Sequence, residues 1–147
     1  KRLFSGPLDG NGRRSIYTRI TIMEPPKFLA LFNQPNPKIP TGRRDSTNTP
    51  SQSLALLNDP FVISQAQFWA AQLVRQADES INSRIAAMFH RAYARPPDTD
   101  ELLRWQQAVG EMAELHGIGE AEMLGSEPVW QDIAHSFFNT KEFIYIK

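Results

Sequence analysis

Cysteine is absent, which excludes a disulfide framework, a thiolate metal site and a cysteine nucleophile. It leaves the compartment open, because exported domains also do without cysteine. Long apolar runs are missing too, and no stretch approaches the roughly 20 apolar residues that cross a bilayer. There is no net charge, with 16 basic and 16 acidic residues. Catalytic signatures are equally scarce. No Gly-x-Ser-x-Gly elbow or Ser-x-x-Lys motif occurs. Gly6, Gly10 and Gly12 precede neither a helix start nor a Lys-Ser/Thr pair, so a phosphate-cradling loop is excluded. Asp9 and Asn11 are too few and too close for a calcium loop and mark a plain turn. His90, His116 and His135 fall on separate helical patterns with no pair at ligand spacing. Structural roles are expected for all three, with no metal and no cofactor in this chain.

What is there is unevenly distributed. Residues 1–44 hold nine Lys/Arg and two acids, and residues 45–147 hold seven and fourteen, giving +7 and −7. The basic residues lie scattered among prolines and apolar residues, without a dense run or interleaved aromatics. Nucleic acid is therefore not an expected partner, and complementary packing of the two parts is. The length fits a single domain, or a C-terminal fragment of a larger one. Its basic, Pro-rich segment 1–48 is expected to pack on a helical bundle at 49–147. Lys1-Arg2-Leu3-Phe4-Ser5 reads as mid-chain sequence, so a piece of a longer protein is expected.

The chain is organised around residues 42–61. Arg43 and Arg44 end a polar loop that runs into a helix start. Thr49 is placed to cap, Pro50 suits the first helical position, and Gln52 suits the third residue of a capping box. Asn58-Asp59-Pro60 repeats the stop-and-start nine residues later. Upstream, residues 14–22 alternate β-branched and aromatic side chains and predict a strand. Its partner would be Phe143 to Ile146 or a segment outside this chain. Lys27 to Phe32 allows one or two helical turns. Residues 33–48, with Pro35, Pro37, Pro40 and Gly42, form a long loop, a class that is commonly functional or pinned by specific contacts. Two adjacent guanidiniums suit a carboxylate or phosphate ligand, but a costly loop needs anchoring, so Arg43 and Arg44 are expected to be structural.

Apolar spacing predicts helices over 50–57, 60–76, 79–94, 98–116 and 128–139. Their stripes are Phe61, Val62, Phe68, Trp69 and Leu73, then Ile81, Ile85, Met88, Phe89 and Ala92, then Leu102, Trp105, Val109 and Met112, then Trp130, Ile133, Ala134, Phe137 and Phe138. Asp78 and Asp98 are the expected caps, Glu101 completes a capping box, and Gly117 suits the residue after a helix. Residues 119–127 read as a polar acidic loop. The fold is expected to be mainly α, an irregular multi-helix bundle with at most one short strand pair. All three tryptophans lie on stripes and are expected in the core rather than on a sugar-stacking ribbon.

Several blocks together resemble domain-of-unknown-function family 1553, of planctomycete-type proteins. They are Arg14-Ser15-Ile16-Tyr17, Arg43-Arg44, Thr47-Asn48-Thr49-Pro50 with Gln52, and Leu54 to Phe61. Further on come Arg91-Ala92-Tyr93-Ala94-Arg95-Pro96-Pro97 with Glu101, and Phe137-Phe138-Asn139-Thr140-Lys141-Glu142-Phe143. The resemblance implies an exported, periplasmic or cell-surface protein, commonly carrying a cytochrome c module, with this chain as the C-terminal half of the domain. It implies haem c elsewhere in the polypeptide and none here, since no Cys-x-x-Cys-His site exists. It brings no catalytic residues, and relatives often carry Gly where Ala94 stands. Arg43, Arg44, Thr47, Asn48, Thr49, Gln52 and Asn58 are the candidate structural or binding residues. The expected function is a non-catalytic structural or interaction module that partners the upstream half. The alternatives are part of a redox or polysaccharide-active enzyme completed by that half, and a carbohydrate- or polyanion-binding module.

Overall fold

Residues 14–21, 25–43, 46–76 and 80–145 are described by a computed structural model. They are mainly helical and contain no strand. The α-helices are α1 (Lys27–Leu31), α2 (Pro50–Asn58), α3 (Pro60–Val74), α4 (Ile81–Tyr93), α5 (Thr99–His116), α6 (Glu127–Phe138) and α7 (Lys141–Ile144), with 3-10 turns at Ser15–Tyr17 and Glu120–Gly125. The chain divides into two compact units, Lys1–Phe61 and Val62–Lys147.

In the first unit, α1 closes with left-handed Asn33 (φ 60) in a Schellman motif. The Gln34 N–H donates to the Leu29 carbonyl (3.1 Å) and the Asn33 N–H to the Ala30 carbonyl (3.2 Å). Helix α2 opens with the Thr49–Gln52 capping box and Pro50 at its first position. The Thr49 N–H donates to Gln52 Oε1 at 3.0 Å. The strand expected over 14–22 is a correction. Residues 15–17 form a 3-10 turn, with Ile16 82% exposed. A strand needs a ladder, and the candidate partner is otherwise engaged: Thr140 caps α7 and the Tyr145 N–H donates to the Lys141 carbonyl (2.9 Å). Ile22 and Ile146 lie outside the described residues.

The second unit is a helical bundle in which α5 packs against both α4 and α6. Its core joins Ala66, Trp69, Ala70 and Leu73 to Ile85, Met88 and Phe89, Val109 and Ala113, and Val129, Trp130, Ile133, Ala134 and Phe137. Phe68, expected in the stripe, is 61% exposed, while Ala66 and Ala70 are fully buried. Positions 62, 66, 69, 70 and 73 share one face at 3.6 residues per turn, and 68 lies off it. The polar loop expected over 119–127 is instead a 3-10 turn whose Met123 and Leu124 pack on the core.

Helix ends follow local chemistry. Helix α5 has the Asp98–Glu101 capping box and a Schellman close at Gly117 (φ 67), where Ile118 donates to the Ala113 carbonyl (2.8 Å). Helix α4 is capped by Ser80 with Ser83, and the expected cap Asp78 lies outside the described residues. Ala94 ends α4 in the left-handed region (φ 58), with its N–H donating to the His90 carbonyl. A Cβ there costs about 1–2 kcal/mol. Ala94→Gly is therefore expected to stabilise the chain by about 1 kcal/mol, read as a raised urea midpoint. An unchanged or lowered midpoint would show that the left-handed turn is not strained.

Candidate functional site

The residues anticipated around the long loop act mainly on one another. Gln52, nearly buried, donates from Nε2 to the Leu31 carbonyl (2.8 Å) and to Thr47 Oγ1 (3.2 Å). Asn33 and Thr47 exchange side-chain hydrogen bonds of 2.9 and 3.2 Å, closing the loop at its two ends. Asn58 donates to the Leu54 carbonyl (3.1 Å), and Asp59 Oδ1 accepts from the Phe61 N–H (2.9 Å) to start α3. Asn48 and Arg43 are exposed, and Arg44 lies outside the described residues.

A second assembly joins two sequence blocks that lie 47 residues apart. The Arg95 guanidinium donates both NH groups to Glu101 (2.7 Å each), and donates to Glu142 from Nε (2.8 Å) and Nη2 (2.6 Å). Two carboxylates thus hold one guanidinium, each through paired bonds. Its plane lies over the rings of Phe89 (5.3 Å) and Tyr93 (5.8 Å). Tyr93 Oη shares a hydrogen bond of 2.7 Å with Thr140 Oγ1, and its ring stacks on Phe137. Helix α4 supplies Tyr93 and the turn after it Arg95. The first turn of α5 supplies Glu101, and the α6–α7 corner supplies Thr140 and Glu142.

The charges follow the geometry. Hydrogen bonds from Arg95 hold the Glu101 carboxyl at about 2, aided by the Asp98 N–H. The same bonds, from Glu101 and then Glu142, raise Arg95 further above its already basic value. Burial raises the Tyr93 phenol. Because the folded Glu101 pKa is depressed, its stabilisation is present above about 4.5 and lost as pH falls towards about 2. Thermal melts between those limits should show a stability decline that Glu101→Gln flattens, since the amide keeps an acceptor for Asp98. An equally steep decline in the variant would place the acid sensitivity elsewhere.

Beside this clamp runs a groove with two continuous lobes. The larger, about 900 Å³, is lined by Arg91, Tyr93, Arg95, Lys141, Phe143 and Tyr145 among others. The smaller, about 270 Å³, continues past Arg91 and Phe143 to Phe68, Trp69 and Phe138. Phe68, Phe143 and Tyr145 are all exposed. The Arg91 guanidinium sits 5.9 Å over the Trp69 ring. The motif blocks 91–97 and 137–143 were visible in the sequence, but nothing in their local spacing revealed that they meet. Elsewhere, His116 Nε2 lies 2.7 Å from Asp132 Oδ2, and the described residues contain no His/Cys/Asp/Glu group able to hold a metal. No helix among the described residues is long and apolar enough to cross a membrane.

No curated protein and no solved structure gives a match to this chain. A family model does, over residues 6–109, covering most of the first unit and continuing through α3 and α4 into α5. By that match the chain belongs to the PSD1 family, the proteins of unknown function DUF1553.

Proposed function

We propose that this chain is a non-catalytic interaction module of a larger exported protein, located in the periplasm or at the cell surface. It forms the C-terminal half of its domain, in a planctomycete-type polypeptide linked to cytochrome c, and its partner is the upstream half. The reading is carried by one observation. Both motif blocks are engaged in a clamp that shapes α4, α5 and α7, and the surface beside the clamp is an aromatic groove. The strongly shifted ionisable groups Arg95 and Glu101 are paired with each other, an arrangement suited to holding structure rather than moving protons. Export and the cytochrome link rest on the family resemblance.

The test is to express the upstream half separately, mix it with this chain at micromolar concentration, and follow complex formation by sedimentation. A stable complex that turns over neither a redox dye nor a polysaccharide is the expected result. No complex, together with turnover by this chain alone, would overturn the reading.

A further inference from the structure

We infer that the groove between α4 and the α6–α7 corner binds an acidic peptide segment bearing at least one bulky apolar side chain. The inference deepens the interaction-module reading and rests on it. Its first support is charge. Arg91 and Lys141 line the groove and are exposed, and neither forms an ion pair among the described residues. Three of the charged lining residues are cations, Arg91, Arg95 and Lys141, against the single carboxylate of Glu142. Both clamp carboxylates, Glu142 and Glu101, are hydrogen-bonded to Arg95 and neither is paired with Arg91 or Lys141, so the three cations and two carboxylates together leave one net positive charge. An anionic ligand is the complement.

The second support is the wall chemistry. Phe68, Phe138, Phe143 and Tyr145 supply aromatic surface along both lobes, with Trp69 beneath Arg91. Aromatic residues and arginine are enriched at protein interfaces and supply most anchor energy there. The lining holds few neutral polar side chains of the kind that read sugar hydroxyls, which favours a peptide over a polysaccharide. A partner carboxylate would take the Arg91 guanidinium in paired bonds and the Lys141 ammonium as a point charge, with the apolar side chain against Phe143 and Phe68.

The probe is a library of short random peptides displayed on phage and selected on the full chain at about 0.15 M ionic strength. Selected peptides should carry several Asp or Glu residues with a Leu, Phe or Trp. Synthetic copies should bind in the micromolar range and weaken as salt is raised. Arg91→Glu and Lys141→Glu should each weaken binding about tenfold, and Phe143→Ser similarly, while Arg75→Glu on the α3 end leaves it unchanged. Circular dichroism checks folding. If Phe143→Ser does not fold, the two exposed charge reversals decide. Selection of basic or neutral peptides, no selection, or retention of polygalacturonate in place of acidic peptides would each overturn the inference. If the upstream half binds but the charge reversals leave that complex and peptide binding intact, the groove assignment fails and the interaction reading stands. If acidic peptides bind while the upstream half does not, the reverse holds.

Discussion

Phe137→Ala should cost the helical unit about 3–5 kcal/mol, the range for truncating a fully buried aromatic. Phe137 is 0% exposed and sits where four rings converge: Trp105 at 4.1 Å, Phe89 and Tyr93 at 5.4 Å, and Trp69 at 5.7 Å. Those rings come from α3, α4 and α5, so no single element can shift to fill the void. The loss combines apolar transfer, the residual cavity and the edge-to-face contacts with Phe89 and Trp69. Phe137→Leu keeps most of the volume and should cost only about 1–2 kcal/mol. Urea unfolding with an unchanged slope is the measurement. A domain of this size has about 5–15 kcal/mol in total, so the alanine variant should be visibly marginal. A midpoint for Phe137→Ala close to the parent's would mean the four rings do not form one core.

Arg84→Ala should cost about 2–4 kcal/mol, although arginine ordinarily belongs on the surface. Arg84 is 2% exposed. It donates to the Leu124 carbonyl (2.5 Å) and to the Gln76 carbonyl (3.4 Å), and its guanidinium lies 4.8 Å over the Trp130 ring. One side chain thereby ties the segment after α3 and the Glu120–Gly125 turn to α6. Removing it leaves the partly buried Leu124 carbonyl without this donor, at about 1–3 kcal/mol if it goes unsatisfied, and uncovers Trp130. Arg84→Lys should recover little, because an ammonium cannot reproduce the planar fork. Arg75→Ala, on an exposed arginine, should stay within about 0.5 kcal/mol. Equal melting of the Arg84 and Arg75 variants would refute the tie.

The contrast between Arg84 and Arg43 shows where sequence reading reaches its limit. Arg43 stood out because it neighbours Arg44 at the end of a costly loop, yet it is exposed. The side-chain hydrogen bonds that join the two ends of the loop come from Asn33, Thr47 and Gln52. Arg84 stood out for nothing, being one basic residue in a helical pattern. Its burial depends on where the carbonyls of residues 76 and 124 arrive.

What the sequence by itself determined is the set of helices α1 to α6 and most of their ends, but not α7. Thr49 with Gln52, Asp98 with Glu101, Gly117 and the prolines act through hydrogen bonds spanning about four residues, so their partners are present in the local sequence. The stripes of α4, α5 and α6 were legible for the same reason, since helical periodicity is a local property. Only the tertiary structure decided which face of α3 is buried, leaving Phe68 out and Ala66 in. It also decided that residues 15–17 turn instead of pairing, and that Arg95 meets Glu142 across 47 residues. Those outcomes depend on which distant surfaces bury most apolar area and which charges are brought together when they do, and neither quantity is encoded within a few residues of the groups it governs.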